Sequence, residues 1–206
     1  MPDGANSAIK RGRKFDQVLA GAREVFMTDG FDGASVDDIA KRSGVSKATL
    51  YSYFPDKQRL FMEVAKSECL RQADEAIASI DMSAPVEEIL GSAGRQIVRF
   101  ITSDFGQSIF RICVAESERF PALGRDFYES GPALVRSRLT EFFATAAENG
   151  ALKIDDLELA ADQFHMLCKV DILDRVVFKN EQGITHAAVD RVVDGAVATF
   201  MARYRA

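Results

Sequence analysis

Apolar residues recur along almost the whole chain at intervals of three and four, the period of an α-helix with one buried face. Phe15, Val18, Leu19, Ala22, Val25 and Phe26 mark the first such face. Gly30 ends it, because glycine takes the left-handed conformation of a helix terminus at little cost. Ser35 then predicts an N-cap for a short second helix through Val36, Ile39 and Ala40, with Asp38 close to a capping-box position. Gly44 breaks that helix, Ser46 caps a third, and Pro55-Asp56 start a fourth.

The periodic segments then lengthen. One helix is expected from Leu60 to Ile80, the next opens at Pro85 and runs past Ile101, and another covers about 105–118. Pro121 and Gly131-Pro132 read as breaks, the second leading into a helix over about 133–148 that Asn149-Gly150 ends. A helix over about 156–178 is apolar on more than one face, and the last, about 186–204, has one clean stripe. No segment alternates with the period of a strand. The expected fold is all-α, with about nine helices: an N-terminal three-helix head over residues 1–55 on a larger antiparallel bundle over 56–206, joined without a flexible linker.

Composition narrows the class. The chain has 206 residues, 47% of them hydrophobic, which excludes disorder. No apolar run approaches the roughly 18 residues of a membrane span, and the N-terminus lacks the apolar core of a signal peptide. A membrane role is not expected. Cys69, Cys113 and Cys168 are too scattered for a disulfide framework or a zinc site, so the expectation is a reduced, cytoplasmic protein with no metal. The net charge is −5, but unevenly spread: residues 1–60 hold ten Lys/Arg against eight Asp/Glu, and the remainder 16 against 23. A mildly basic head on an acidic body suggests that only the head meets a polyanion.

The third helix carries the chemistry. At about 100° per residue, Leu50 and Phe54 fall on one side, with Val45 just before them. The opposite face holds Ala48, Thr49 and Ser52, rimmed by Lys47, Tyr51 and Tyr53. A small, polar centre lets a helix approach base edges in a major groove, while long rim side chains reach phosphates. Ser46 at the N-cap leaves helix N–H groups facing the ligand side, favourable for phosphate. Helix, tight turn at Gly44 and second helix make a helix-turn-helix.

These residues also resemble a known family. "GFDGASVDDIAKRSGVSKATLYSYFPDKQRLF", residues 30–61, is similar to the N-terminal domain of the tetracycline-repressor (TetR) family of bacterial regulators, through Gly30-Phe31, Ser35, Ile39-Ala40, Gly44-Val45-Ser46, Thr49-Leu50-Tyr51, Phe54, Lys57 and Leu60. The segment "AESERFPALGRDFYESGP", residues 115–132, with "ENGAL" and "LAADQF" after it, resembles a ligand-domain subgroup typified by the epiphytic-fitness regulator of plant-associated pseudomonads. The resemblance implies a homodimeric regulator, usually a repressor, bound to a palindromic double-stranded DNA operator and released when a small-molecule effector enters the C-terminal bundle.

Carried over by position, Ser35 would hold a phosphate; Lys47, Ala48 and Ser52 would face bases; Thr49, Tyr51 and Tyr53 would contact phosphate or sugar; Lys57 would bind phosphate at the start of the fourth helix. The arm Lys10-Arg11-Gly12-Arg13-Lys14, and in it Arg11 and Arg13, would reach a flanking minor groove or backbone. Serine at position 35, where the family often has threonine, keeps the hydroxyl.

For the bundle, the resemblance implies a four-helix dimer interface built from the last two helices, with Val170, Leu173, Val177, Val189, Val193, Val197 and Phe200 as candidates. The ligand pocket would be lined from Phe105, Ile109, Phe110, Cys113, Phe127, Phe142, Phe164 and Cys168, each of which also reads as core packing. Few fixed charges fall among them, which favours a largely apolar or aromatic effector. His165 reads as a satisfied structural histidine, His186 as a surface residue, and Asp171 and Asp174 as a solvated edge.

Two other functions compete. One is an enzyme or carrier whose bundle holds a hydrophobic molecule, against which stands the lack of a nucleophile elbow, phosphate loop, HExxH or paired His/carboxylate motif. The other is a redox sensor using Cys113 or Cys168, which would need exposed, reactive thiolates. No cofactor is expected.

Overall fold

The computed structural model describes residues 12–180 and 182–206. Arg11 and Lys10 lie outside the described residues. The described chain is helical, in eleven helices: α1 (Arg13–Gly33), α2 (Val36–Ser43), α3 (Lys47–Tyr53), α4 (Lys57–Ala78), α5 (Val86–Thr102), α6 (Asp104–Glu116), α7 (Pro121–Ser130), α8 (Pro132–Glu148), α9 (Leu157–Leu167), α10 (Ile172–Val177) and α11 (His186–Tyr204). It divides into two compact units, residues 1–65 and 66–206.

In the first unit the expected turn signals operate. Gly30, at φ 69°, interrupts α1 near its end. Ser35 Oγ accepts from Asp38 N at 3.0 Å and caps α2. Gly44 closes α2 at φ 64° with its N–H on the carbonyls of Ala40 and Lys41. Ser46 Oγ accepts from Thr49 N at 3.1 Å and caps α3. Asp56 Oδ1 accepts from Arg59 N at 2.6 Å at the start of α4. Each cap satisfies an amide that the helix leaves without a partner.

The core of this unit is aromatic. Phe15, Val18, Phe26, Ile39, Leu50, Phe54, Leu60 and Phe61 are all buried. The Phe15 ring lies 5.3 Å from Phe54 and 5.8 Å from Tyr53. Phe61 meets Phe26 and Phe31, each at 5.0 Å. Gly21 permits the close approach of α1 and α2: a β-carbon there would sit 2.8 Å from Ser43 N and 2.9 Å from Ser43 Cα.

The second unit holds two adjoining apolar clusters. One gathers Leu90, Leu139, Phe143, Ala160, Ala161, Phe164, Cys168, Ala196, Phe200 and Tyr204; the other Val98, Ile172, Val176, Val192 and Val193. α5 and α11 contribute to both, α9 to the first and α10 to the second. Phe200 is the hub of the first, 4.8 Å from Phe143, 5.4 Å from Phe164 and 4.7 Å from Tyr204.

Two differences from the expected helices raise the number above nine. Pro121 opens α7 rather than breaking the chain, since proline at a first helical position gives up only an amide that has no partner there. The helix expected over 156–178 divides into α9 and α10, although it contains neither Gly nor Pro. Asp171 takes φ 66°, and Ile172 N bonds Val170 O at 2.8 Å. The division explains the several apolar faces of that segment. A straight helix buries one stripe; after the turn, Ile172 and Val176 enter the second cluster.

Two glycine substitutions separate backbone conformation from packing. Gly44→Ala has open space but forces an L-residue into the left-handed region, at about 1–2 kcal/mol. Gly21→Ala keeps helical angles but drives a methyl into the Ser43 backbone. Chemical denaturation should show both destabilised, and only Gly21→Ala relieved by a shift in the α1–α2 packing, visible as changed amide resonances in both helices.

Candidate nucleic-acid interface and bundle interior

α3 presents its face because Leu50 and Phe54 are drawn into the aromatic core. Ser46, Lys47, Ala48, Tyr51 and Ser52 are exposed, and Thr49 and Tyr53 half-buried at the rims. Seven of the expected contact residues thus share one surface. Tyr53 is held by its ring against Phe15. The Tyr51 hydroxyl makes no hydrogen bond among the described residues. Ser52 Oγ donates to Thr49 O at 2.6 Å, so its lone pairs are what it offers outward. Thr49 Oγ1 lies 2.9 Å from Ser46 Oγ, so the cap and the residue it caps form one hydroxyl pair at the start of α3. Arg13, on the expected basic arm, is exposed in the first turn of α1.

Lys47, Arg42, Lys57 and the Ser35 hydroxyl are committed within the unit. Lys47 Nζ is 2.6 Å from Asp37 Oδ1, and this hydrogen bond raises the lysine pKa. Arg42 pairs with Glu24 at 3.1 Å. Lys57 does not stand free at the start of α4: its ammonium donates to Phe31 O at 2.8 Å and Ala34 O at 3.0 Å and lies 4.4 Å from the Phe31 ring centre. A cation at carbonyls left over by a helix end is favourable, so Lys57 fastens the end of α1. The Ser35 hydroxyl likewise donates to the Asp38 carboxylate while capping α2.

In the second unit the expected pocket residues fall into several packed groups. Phe164 and Cys168 are fully buried in the first cluster, with Phe142 packed against it. Phe110 and Phe127 form a ring pair at 6.3 Å. Phe105, Ile109 and Cys113 are buried on α6. A groove of about 710 Å³ lies elsewhere, between Glu87, Gly91 and Arg95 of α5 and Asp194, Val197, Met201 and Arg205 of the α11 side. Ion pairs of Arg95 with Asp190 and Asp194, at 2.8 and 3.0 Å, bridge its two walls.

The interface candidates divide as well. Val170 and Val177 are exposed and Leu173, Val189 and Val197 half-buried. Val193 and Phe200, at 0% and 1% exposure, are spent in the chain's own core. Periodicity missed Leu159, Met166 and Phe178, which leave 51%, 56% and 78% of their surface open. On α9 and the turn after it, Leu159, Met166 and Val170 recur at helical spacing opposite buried Ala160, Ala161 and Phe164, and Phe178 is exposed at the end of α10. The signal was present as Leu159-x6-Met166-x3-Val170.

Burial decides the titratable groups. All three thiols are buried, and burial pushes each up to about 12, so no cysteine offers the thiolate that redox sensing requires. Glu68, missed in the sequence, is a buried carboxylate; Arg71 Nε donates to it at 3.0 Å and Gln72 Nε2 at 2.9 Å. Its place between Ala65 and Cys69, with Arg and Gln three and four residues on, was the available sign. His186 is exposed. His165 is buried, and burial first, then Lys169, lowers it to about 3. Its imidazole forms no hydrogen bond among the described residues, and its ring nitrogens are not among the buried atoms left without a partner. Lys169 is lowered to about 8, again chiefly by burial.

Comparison with known proteins follows the same two units. The family model for bacterial regulatory proteins of the tetR family matches residues 18–64. That for the C-terminal domain of AefR-like transcriptional repressors matches residues 88–206. The regulator YdeS of Bacillus subtilis is 33% identical over 105 residues, 48% of this chain and 50% of that protein. The repressor AcnR of Corynebacterium diphtheriae is 31% identical over 74 residues, 36% of this chain and 38% of its own. The chain thus spans half or less of the length of these curated relatives. Solved structures cover more. A TetR-family regulator from Mesorhizobium loti superposes with TM-score 0.78 at 27% identity, over 94% of this chain and 98% of that one. The flavonoid-responsive regulator FrrA does so with TM-score 0.70 at 34% identity, over 95% and 98%.

Two measurements check the electrostatics. Asp37→Asn frees Lys47, and the log–log salt dependence of duplex DNA binding should steepen by about 0.9, one further phosphate neutralised; an unchanged slope would show that Lys47 does not reach the backbone. For His165 the unfolded chain takes up a proton below about 6.5, the folded one only near 3. Stability therefore rises with pH across that window, by at most about 1.4 kcal/mol per pH unit from this group, and is level above it. His165→Gln should make the urea midpoint less steep in pH between 4 and 6.5 than in the wild type.

Proposed function

The chain belongs to the TetR family of bacterial regulators, and from that premise we propose that it is a homodimeric repressor that reads a palindromic operator through α3 and releases it when a small, largely apolar molecule enters its C-terminal bundle. The observation that carries the DNA-reading half is the exposed face of α3, small and polar at its centre and rimmed by hydroxyls, behind which Leu50 and Phe54 are fully buried.

Lys47, Ala48 and Ser52 face the bases of the major groove. Ala48 allows close approach, Ser52 accepts from a base amino group, and Lys47 exchanges Asp37 for an acceptor on DNA. Thr49, Tyr51 and Tyr53 set the register on phosphates and sugars. The residue 1–55 head does this work, with Arg11 and Arg13 of its arm at the flanking groove; residues 56–206 hold effector and partner. Ser35 and Lys57 support the reading surface by fixing α2 and the end of α1, with phosphate contact secondary. The protein acts where the DNA is, in the bacterial cytoplasm.

The repressor assignment is supported by the AcnR relatives, and that of an aromatic effector by the likeness to flavonoid-responsive FrrA at 34% identity across nearly the whole chain. The exposed large apolar side chains of α9 and α10, Met166, Val170 and Phe178, support pairing with a second copy, since a folded chain rarely leaves such side chains open without a partner to cover them. A two-fold dimer presents two α3 helices to two half-sites, which is why the operator is palindromic.

Selection from random duplex DNA, followed by fluorescence anisotropy at several salt concentrations, tests this. A palindromic consensus should emerge. Tyr51→Phe should weaken its binding several-fold with the fold intact, and Thr49→Ala/Tyr51→Ala should abolish it. If folded wild-type protein enriches no sequence, the DNA-reading assignment fails and a small-molecule carrier takes its place.

A further inference from the structure

Two adjacent acids open α2, and only one of them is used there. Asp38 belongs to the cap: its amide donates to Ser35 Oγ and its carboxylate accepts the Ser35 hydroxyl. The Asp37 carboxylate instead reaches across to Lys47, the first residue of α3, with Oδ1 2.6 Å from Nζ. It has no other partner among the described residues. Both side chains lie open beside the exposed face of α3, 70% exposed for Asp37 and 52% for Lys47.

Stability gives little reason for this pair. An exposed ion pair contributes at most about 1 kcal/mol, and Asp38 already provides the negative charge that the start of α2 favours. On a surface that meets phosphates, a carboxylate weakens attraction to DNA whatever the sequence. It is favourable there in one situation, when it faces a hydrogen-bond donor on a base edge. The major groove offers such donors on cytosine N4 and adenine N6.

The pair presents a donor and an acceptor one hydrogen bond apart. A G·C base pair presents the complement: guanine O6 and cytosine N4 lie side by side in the major groove, about 2.9 Å apart because they bond each other. Resting on the reading above that α3 enters a major groove, we propose that Asp37 is a specificity-determining residue, which together with Lys47 reads one G·C pair in each half-site. Lys47 donates to guanine O6 and N7, and Asp37 accepts from cytosine N4. Lys47 thus leaves Asp37 for guanine without stranding the carboxylate, which takes the cytosine amino hydrogen in exchange. A·T and C·G pairs offer donor and acceptor in the reverse order. A T·A pair repeats the order, but sets the thymine methyl against the ammonium and adenine N7, an acceptor, beside the carboxylate.

Selection from random duplex DNA with the wild type supplies a consensus. Each cytosine in it is then replaced in turn by N4-methylcytosine, which keeps Watson–Crick pairing and blocks the amino hydrogen exposed in the major groove. At one cytosine per half-site the methyl group should weaken wild-type binding about tenfold, the discrimination of one good base contact, and leave the affinity of Asp37→Ala unchanged. Selection with Asp37→Ala should lose the G·C preference at that position and keep the rest of the consensus. The Asp37 side chain is largely exposed, so the variant should melt with the wild type, as circular dichroism can check. A consensus in which no cytosine distinguishes wild type from Asp37→Ala overturns the assignment of Asp37 and leaves α3 standing as the reader. If folded wild type enriches no sequence, the DNA-reading assignment falls and this inference falls with it.

Discussion

The burial of Leu50 and Phe54 is the constraint on which the exposed face of α3 depends. α3 has seven residues, too few to be a stable helix by itself. It exists because its one apolar edge is pulled into a cluster of phenyl rings around Phe15, and because Ser46 takes up an amide at its start. With that edge fixed, the opposite side has no choice but to face outward. The surface proposed to meet DNA is therefore a by-product of packing: it is what the core of the first unit does not claim.

The same logic, inverted, describes the second unit. Its apolar residues exceed what one helix face can bury, and the chain accommodates them by dividing a helix at Asp171, a residue held at positive φ without being glycine. Asp tolerates this better than most side chains, and Arg175 Nε donates to its carboxylate at 2.9 Å. The turn sends Ile172 and Val176 into a second cluster and leaves Val170, Val177 and Phe178 outside. A strained backbone, a second core and an unpartnered apolar surface are three consequences of one break.

Charge is used sparingly throughout. Lys47, Arg42, Arg71, Arg95, Arg136 and Arg205 are all paired with carboxylates. Most of these pairs are exposed and add little stability, but they remove loose positive charge from an acidic protein, which lowers non-specific attraction to DNA.

Sequence alone determined what local chemistry dictates. Gly30 and Gly44 as left-handed breaks, Ser35 and Ser46 as caps, and the wheel of α3 depend on residues within a turn or two of one another, so their spacing is sufficient. The all-helical class followed from the same period. Tertiary structure decided whatever depends on which neighbour arrives from far away in the chain. Lys57 could not be seen to fasten Phe31 and Ala34, nor Asp37 to hold Lys47, because a charged residue carries no record of its partner. Val193 and Phe200 belong to the same stripe as Val189 and Val197, and only the packing of α5 and α9 against α11 divides that stripe into core and surface. The turn at Asp171 has no Gly or Pro to announce it, since its cause is the second cluster it feeds. Periodicity reports that a face is apolar; what covers that face is a property of the assembled fold.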